Sequence, residues 1–376
     1  MDRINSILVV TPNYPIDGDP VFPFVKNLCD EFVKQGLHVT VLSPQSITSA
    51  WMHHKKLRPR VRKEYIEGKE ITIYQPYTFT PSHNHLKAYN HFIKLSVLWF
   101  LKRTGIKADV CYCHFWNSAF WVIPYIKRHD IPLFVATGES VIKAQLATPK
   151  KYEDFKDYVK GVVCVSSKNK EESISLGYTT EDKCFVLPNA VNAKVFYKRN
   201  RLDCRKELGY PHDAFIVAFV GWFIDRKGPI RVAKALEQVG GVKSLFIGKG
   251  EQDPQCNGIL FKGQIHHDKI PIYLCAADCF VLPTLHEGCC NAVVEAMACG
   301  LPIISSNLSF NWDVLDGTNS IMIDPNNVDE IAYAIRDLKK NPTKRLELAK
   351  GSLRKAESLS IDKRAKLIIA FMESKL

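Results

Sequence analysis

Two carboxylates bracket what reads as the start of a helix in this chain. The run Pro283-Thr284-Leu285-His286-Glu287-Gly288-Cys289-Cys290-Asn291-Ala292-Val293-Val294-Glu295 reads as strand end, loop and helix, with Glu287 in the loop and Glu295 about two turns inside the helix. Eight residues of helix rise about 12 Å. Between the acids, the amides of Gly288, Cys289, Cys290, Asn291 and Ala292 form a helix amino terminus. Its unpaired N–H groups and partial positive charge suit a phosphate or diphosphate. A carboxylate on each side can accept hydrogen bonds from hydroxyl groups. The chemistry that fits is a molecule with sugar hydroxyls, a diphosphate and ribose hydroxyls in series, that is, a nucleotide sugar. As spacing alone, two glutamates eight apart are common and read better as an ordinary helix with no such role.

The elements that must position these groups alternate along the chain. Strand-like runs fall at 7–11, 39–42, 71–74, 110–113, 133–137 and 162–165, with amphipathic stretches at 24–34, 85–102 and 119–128 between them. The rhythm breaks at Leu187-Pro188-Asn189-Ala190-Val191-Asn192 and in the polar segment 198–213, then restarts. Strands are expected at 215–220, 243–247, 279–282 and 303–305, and helices at 229–238, 270–276, 292–299, 330–338, 344–357 and 363–373. Alternating strands and helices predict parallel sheets covered on both faces. The expected architecture is α/β, with two doubly wound domains, 1–190 and 191–359, and a last helix at about 360–376 packing back on the first. Ligands of such sheets bind beyond the carboxyl ends of the strands, so the expected site is a cleft between the halves.

Composition narrows the class. The chain has 376 residues, 46% apolar and 24% charged, ordinary values for a folded protein and not for a disordered or coiled-coil one. The longest apolar run, 215–224, is too short to span a bilayer, which takes about 20 residues, and no secretory leader is legible. The twelve cysteines lie largely in apolar runs and read as buried thiols of a reducing compartment; their spacing builds no zinc site. Net charge is +12, and nine of those charges fall in residues 51–107, where twelve Lys/Arg face three acids. Trp51, Tyr65, Tyr74, Tyr77, Tyr89, Phe92, Trp99 and Phe100 are interleaved there. Such a region suits an anionic partner, a phosphate-bearing lipid or membrane surface above all, or is simply a solvated basic face. No base-reading module is present, so nucleic acid is not expected.

Taken with its surroundings, the Glu287–Glu295 run resembles the Glu-x7-Glu motif of retaining family 4 glycosyltransferases, whose fold is the GT-B type: two Rossmann-like doubly wound domains facing across a deep cleft. The resemblance covers essentially the whole chain. Gly221-Trp222-Phe223-Ile224-Asp225-Arg226-Lys227-Gly228 looks like the family's Gly-Arg-x4-Lys-Gly loop. Gly248-Lys249-Gly250, Pro188-Asn189-Ala190-Val191-Asn192 and Ala277-Asp278 leading into Leu282-Pro283 follow in family order. The resemblance implies that Glu287 contacts hydroxyls of the transferred sugar, Glu295 holds the ribose, and amides near Cys289–Ala292 cradle the diphosphate. Lys227 would stabilise the leaving nucleotide, with Gly221 and Asn189 nearby and the base beside Ile265. It implies no metal and no cofactor. The donor would be a UDP-sugar, and the acceptor a glycan or polyprenyl-diphosphate-linked hydroxyl in polysaccharide biosynthesis. The expected location is the cytoplasm, with peripheral contact at the inner membrane face through 51–107.

Three departures from the family pattern matter. The family arginine before the lysine is Trp222, which cannot pair with phosphate; Arg226 is the candidate to supply that charge. Glu139 stands where many members have a histidine, and reads either as a catalytic hydrogen-bond acceptor or as a helix amino-terminal acid. The first glycine-rich turn is reduced to Gly18 and Asp19, expected on the acceptor side. His114 reads as an acceptor-orienting group or a packed side chain. Alternatives to a transferase are a nucleotide-sugar-binding protein without turnover and a GT-B-like sugar-nucleotide epimerase.

Overall fold

The computed structural model describes residues 3–16, 22–52, 54, 56–81, 86–143 and 153–376. The chain divides into two units: Met1–Leu187 with Ile361–Leu376, and Pro188–Ser360. The boundary lies three residues ahead of the position expected from the polar break.

In the first unit, β1 (Ser6–Val10), α1 (Pro23–Lys34), β2 (His38–Leu42), β3 (Gln45–Ser46), α2 (Ile47–Met52), β4 (Val61–Ile66), β5 (Lys69–Tyr74), β6 (Tyr77–Thr78), α3 (Leu86–Thr104), β7 (Val110–His114), α4 (Trp116–Arg128), β8 (Leu133–Thr137), α5 (Glu153–Tyr158), β9 (Val159–Cys164), α6 (Ser167–Ser175) and β10 (Cys184–Val186) follow in order. The sheet order is β10-β9-β8-β7-β1-β2-β5-β4, parallel except for the antiparallel hairpin β4–β5. Central strands such as β7 and β8 are buried along their whole length, as continuous apolar runs in a two-faced sheet must be. β4 has no such signature: Val61-Arg62-Lys63-Glu64-Tyr65-Ile66 alternates exposed and half-buried residues at the sheet edge, where charge blunts an open edge.

The second unit holds α7 (Arg201–Leu208), β11 (Ile216–Val220), α8 (Pro229–Val239), β12 (Lys243–Ile247), β13 (Ile259–Gly263), α9 (Ile270–Ala276), β14 (Cys279–Leu282), α10 (Asn291–Ala298), β15 (Ile303–Ser306), β16 (Ser320–Ile323), α11 (Val328–Lys340) and α12 (Pro342–Glu357). Its six strands are all parallel, in the order β13-β12-β11-β14-β15-β16. The winding direction reverses between β11 and β14, so the loops after those two strands diverge at a topological switch point. α13 (Ile361–Glu373) returns to the first unit, where the Arg364 guanidinium donates to Leu187 O and Phe371 stacks on Phe185 at 5.2 Å. Gly161 of β9 makes room for it: a Cβ there would lie 2.7 Å from the Phe371 ring.

The polar segment 198–213, where the expected rhythm breaks, contains α7, part of the second unit. Its amino end is capped by Asn200, and its buried Arg205 donates to Asp278 Oδ2 at 2.7 Å and to Ala276 O at 2.8 Å. Arg201 pairs with Asp278 Oδ1, 2.5 Å away. The Ile216 amide also donates to Asp278, at 2.7 Å. Asp278 thus ties α7, β11 and β14 together at the amino-terminal edge of the sheet, the edge opposite the switch-point loops. It is a structural residue here. An open cavity of about 480 Å³ lined by Lys198, Arg201, Cys299 and Arg345 lies on that same edge.

Asp278→Ala would leave Arg205 charged, buried and unpaired, and breaking a buried pair from one side costs about 3–5 kcal/mol. We expect a marked drop in unfolding temperature, measured by calorimetry. An unchanged value would remove Asp278 from this role.

Candidate active site

The loop that follows β11 is laid flush against the loop that follows β12. The Gly221 amide donates to Ile247 O at 3.0 Å and the Phe223 amide to Lys249 O at 2.7 Å. The approach is close enough to require glycine: a Cβ on Gly248 would lie 1.9 Å from Gly221 O, and one on Gly250 2.2 Å from Phe223 O. Beyond it, residues Asp225–Lys227 make one 3-10 turn before Gly228 and Pro229 open α8. Arg231 of α8 clamps that turn, donating to Asp225 Oδ1 at 2.9 Å, Asp225 O at 2.8 Å and Pro283 O at 3.1 Å. The Leu285 amide donates to Arg226 O at 2.8 Å. The two loops of the switch point are thereby fastened to each other.

Three donors converge on one oxygen of Glu287. Lys227 Nζ lies 2.5 Å from Oε1, the Arg226 guanidinium pairs with the same atom, and the Thr284 hydroxyl donates to it at 3.0 Å. Arg226 also donates to His286 O at 2.8 Å. Lys227 is 9% exposed. Burial works against its charge, but the Cys290 sulfur and the Glu287 carboxylate outweigh burial and hold the ammonium above its ordinary pKa. Arg226 therefore stands beside Lys227 on a shared carboxylate. Trp222, at the family arginine's position, is 55% exposed, with the Lys249 ammonium 5.6 Å from its ring centroid.

The amino end of α10 adjoins this cluster. Its N-cap is Cys290, which makes no side-chain capping hydrogen bond, and its first turn carries no acid. Lys227 Nζ is 3.9 Å from Cys290 Sγ. Cys289 and Cys290 are buried, and burial raises the Cys290 thiol pKa. Asn189 reaches in from the segment before α7, donating to Cys289 O at 3.0 Å and to Asn291 Oδ1 at 2.8 Å. Gly288 is buried beneath the turn and Ala292 half-buried in the first helical turn. The structure thus brings Gly221, Arg226, Lys227, Glu287, Gly288, Cys289, Cys290, Asn291, Ala292 and Asn189 onto one set of linked loops.

Glu295, the fifth residue of α10, accepts from His267 Nε2 at 2.9 Å. His267 is also stacked against Phe196, 5.1 Å between ring centroids. Ile265, two residues earlier, is half-buried just past β13. Sequence reasoning stopped at Ile265 and did not find His267, nor Thr284 or Arg231. The only sequence signal for His267 is its short distance from Ile265. A hydrogen bond spanning 28 positions has no local signature.

In the first unit, Glu139 is spent on local structure. One carboxylate oxygen accepts from the Trp116 amide at 3.1 Å, at the first turn of α4; the other accepts from Thr137 Oγ1 at 2.7 Å and the Gly138 amide at 2.9 Å. Burial raises its pKa, and those hydrogen bonds offset part of the rise. Of the two roles open from sequence, this geometry is that of the helix amino-terminal acid, so the expected catalytic role has no geometric support. His114, at the end of β7, is 5% exposed among Phe24, Tyr112 and Phe115. Burial, reinforced by Arg364, pushes its pKa down to about 3. It is a neutral, packed side chain, enclosed where an acceptor-orienting group would be open. Gly18 and Asp19, in the run Asp17-Gly18-Asp19, lie outside the described residues.

Comparison with known proteins follows the same two units. Residues 23–195 match the family model described as Glycosyltransferase Family 4, and residues 214–341 the model described as Glycosyl transferases group 1. The chain is similar to TuaC of Bacillus subtilis (strain 168), a glycosyltransferase named for teichuronic acid biosynthesis, at 28% identity over 348 residues and 88% of each chain. It is similar to the UDP-Gal:alpha-D-GlcNAc-diphosphoundecaprenol alpha-1,3-galactosyltransferase of Escherichia coli at 28% identity over 194 residues, 46% of this chain and 50% of that one. Among solved structures, Anabaena Alr3699/HepE in complex with UDP and glucose has a TM-score of 0.72 at 15% identity, covering 98% of this chain and 100% of that one. That last likeness is one of fold.

The His267–Glu295 pair makes stability depend on pH. Burial lowers the imidazole pKa, but the Glu295 hydrogen bond and charge outweigh it, so the folded value stands above the ordinary 6.5. A raised folded pKa contributes stability that is full below the unfolded value and is lost as pH climbs through the folded one. The wild-type unfolding temperature is therefore expected to carry a component that declines from about pH 6.5 upward, and His267→Gln to lack it. Matching pH profiles for the two proteins would contradict the pairing.

Proposed function

This chain belongs to glycosyltransferase family 4, and on that footing we propose that it transfers a sugar from a UDP-sugar to a hydroxyl of a glycan or polyprenyl-diphosphate-linked acceptor, with retention of configuration and without a metal ion. Its two parallel-sheet units have the GT-B fold. A role in surface polysaccharide biosynthesis is supported by its similarity to glycosyltransferases named for teichuronic acid biosynthesis and for a diphosphoundecaprenol-linked acceptor.

The observation that carries the donor reading is the convergence of Lys227 and Arg226 on Glu287 Oε1 beside the uncapped start of α10. In the structure the two cations share one carboxylate, leaving a net positive charge. A donor diphosphate laid against the α10 amides would draw both cations onto its own oxygens. Glu287 would then be released to accept hydrogen bonds from sugar hydroxyls. Glu295 would exchange His267 for ribose hydroxyls. As the bond from the anomeric carbon to the phosphate oxygen breaks, charge grows on that oxygen, where preorganised cations stabilise it. The acceptor oxygen bonds to the anomeric carbon on the face the phosphate leaves, and its proton passes to the departing phosphate oxygen. No carboxylate is needed as a covalent nucleophile, unlike the paired acids of glycosidases. The uridine reading is supported by the UDP bound in the solved structure of similar fold and by the UDP-Gal in the name of the E. coli relative.

A thermal-shift screen over uridine, guanosine and cytidine diphosphate sugars should show the uridine series stabilising the protein most, since a ligand of the folded state raises its stability. Glu287→Ala should abolish transfer with nucleotide affinity nearly intact. Lys227→Ala should lower kcat by about 10²–10³, and Glu295→Ala should weaken nucleotide binding by about tenfold or more. Turnover should persist in excess chelator, and the product linkage should keep the donor's anomeric configuration by NMR. Normal turnover by Glu287→Ala would refute the donor assignment; nucleotide-sugar binding without turnover over a broad acceptor panel would favour a binding protein.

A further inference from the structure

Helix α3 is amphipathic in an unusual sense: both faces are apolar. Ile93, Val97 and Leu101 are buried in the first unit's core. On the opposite side Phe92 is 47% exposed, Leu95 50% and Trp99 62%. At about 100° per residue these three fall within a 60° arc. Exposed Lys87, His91 and Lys102 flank the arc on one side and exposed Arg103 on the other, its guanidinium carbon 5.4 Å from the Trp99 ring centroid. The helix contains no acid, and none occurs anywhere from Ile71 to Ala108.

Elements hydrogen-bonded to α3, directly or in turn, also carry exposed apolar side chains. Thr78 Oγ1 contacts Phe92 O at 3.5 Å, and the next residue, Phe79, is 69% exposed. Thr80 is tied to α2 through Thr48, whose hydroxyl donates to Thr80 O at 2.5 Å and accepts from the Thr80 amide at 3.0 Å. α2 carries Trp51, 79% exposed, and Met52, 53% exposed. Bulky apolar side chains are thus presented to solvent from three hydrogen-bonded elements. Large apolar side chains exposed together on linked elements, rather than scattered singly, point to an interaction site.

We propose that this face of the first unit is a membrane-docking surface, in which α3 lies in the plane of an anionic bilayer with Phe92, Leu95 and Trp99 in the headgroup–acyl boundary and Lys87, Lys102 and Arg103 on lipid phosphates. An apolar stripe rimmed by cations is the signature of an interfacial helix, and tryptophan favours that boundary. Among the described residues no helix is long and apolar enough to cross a membrane, so contact here is by lying on the surface. A second copy of this chain fits the face poorly. A two-fold interface sets the same patch against itself and would press two cation-rimmed helices together with no acid on either to pair them. The inference deepens the lipid-linked acceptor reading above and rests on it for its biological sense, but it is measured without transfer.

The full chain is floated with phosphatidylcholine vesicles, with and without phosphatidylglycerol, and the bound fraction is measured against salt. Wild type should bind the anionic vesicles in a salt-sensitive way. Leu95→Ser/Trp99→Ser and, separately, Lys102→Glu/Arg103→Glu should each lower binding by about tenfold or more, while Trp99→Phe should retain most of it. All variants should keep wild-type UDP affinity and unfolding temperature, since the altered side chains are exposed. Loss of vesicle binding with UDP affinity intact supports the docking face even if transfer to a lipid-linked acceptor is never seen. Absent wild-type binding, wild-type levels of binding by either double variant, or concentration-dependent self-association abolished by Leu95→Ser/Trp99→Ser would each overturn it.

Discussion

One carboxylate oxygen, Oε1 of Glu287, organises the second unit's switch-point edge. Lys227, Arg226 and Thr284 all address it. The shared carboxylate keeps two cations ordered in a poorly solvated place, where a lone charge would be costly. Much of the surrounding backbone serves to bring these side chains to a single atom.

That convergence depends on backbone contacts too close for ordinary side chains. The β11 and β12 loops touch through Gly248 and Gly250, and Arg231 holds the cation-bearing turn to the end of β14. At the other edge of the sheet, Asp278 fixes α7 against β11 and β14. A switch point supplies two diverging loops; these fastenings turn divergence into a defined distance between Lys227 and Glu287.

Much of this was legible in the sequence because it obeys local rules. Continuous apolar strands such as 133–137, 243–247 and 279–282 declare themselves, and so does α8, opened by Gly228-Pro229. The helix carrying Glu295 was likewise readable from the Gly300 and Pro302 that stop it, and the Glu287–Glu295 chemistry from the resemblance of its motif. What escaped reading depends on distant partners. β4 is charged because it is an edge, and its pairing with β5 is visible only once the hairpin is closed. α7 looks like a linker because its anchor is an arginine, whose burial makes sense only beside Asp278. Arg226 was named for its charge, but its direction is set by Glu287, 61 residues away. Glu139 was readable as an acid at a turn; that its hydrogen bonds are taken up by Trp116, Thr137 and Gly138 was not.

The return of α13 to the first unit has a kinetic consequence. Residues 188–360 form a continuous unit that holds all of its own strands, so it has what it needs to fold once its last residue is made. The first unit is begun earlier but finished later, because the cover for β9 and the partner of Phe185 arrive only with Phe371. During synthesis the amino-terminal sheet must therefore wait, with the part of its apolar surface around β9 and Phe185 unsheltered, for the length of an entire intervening domain. Domains usually fold in the order they are made. Here the order of completion is reversed, and the interval in which the nascent chain needs protection is set by its connectivity.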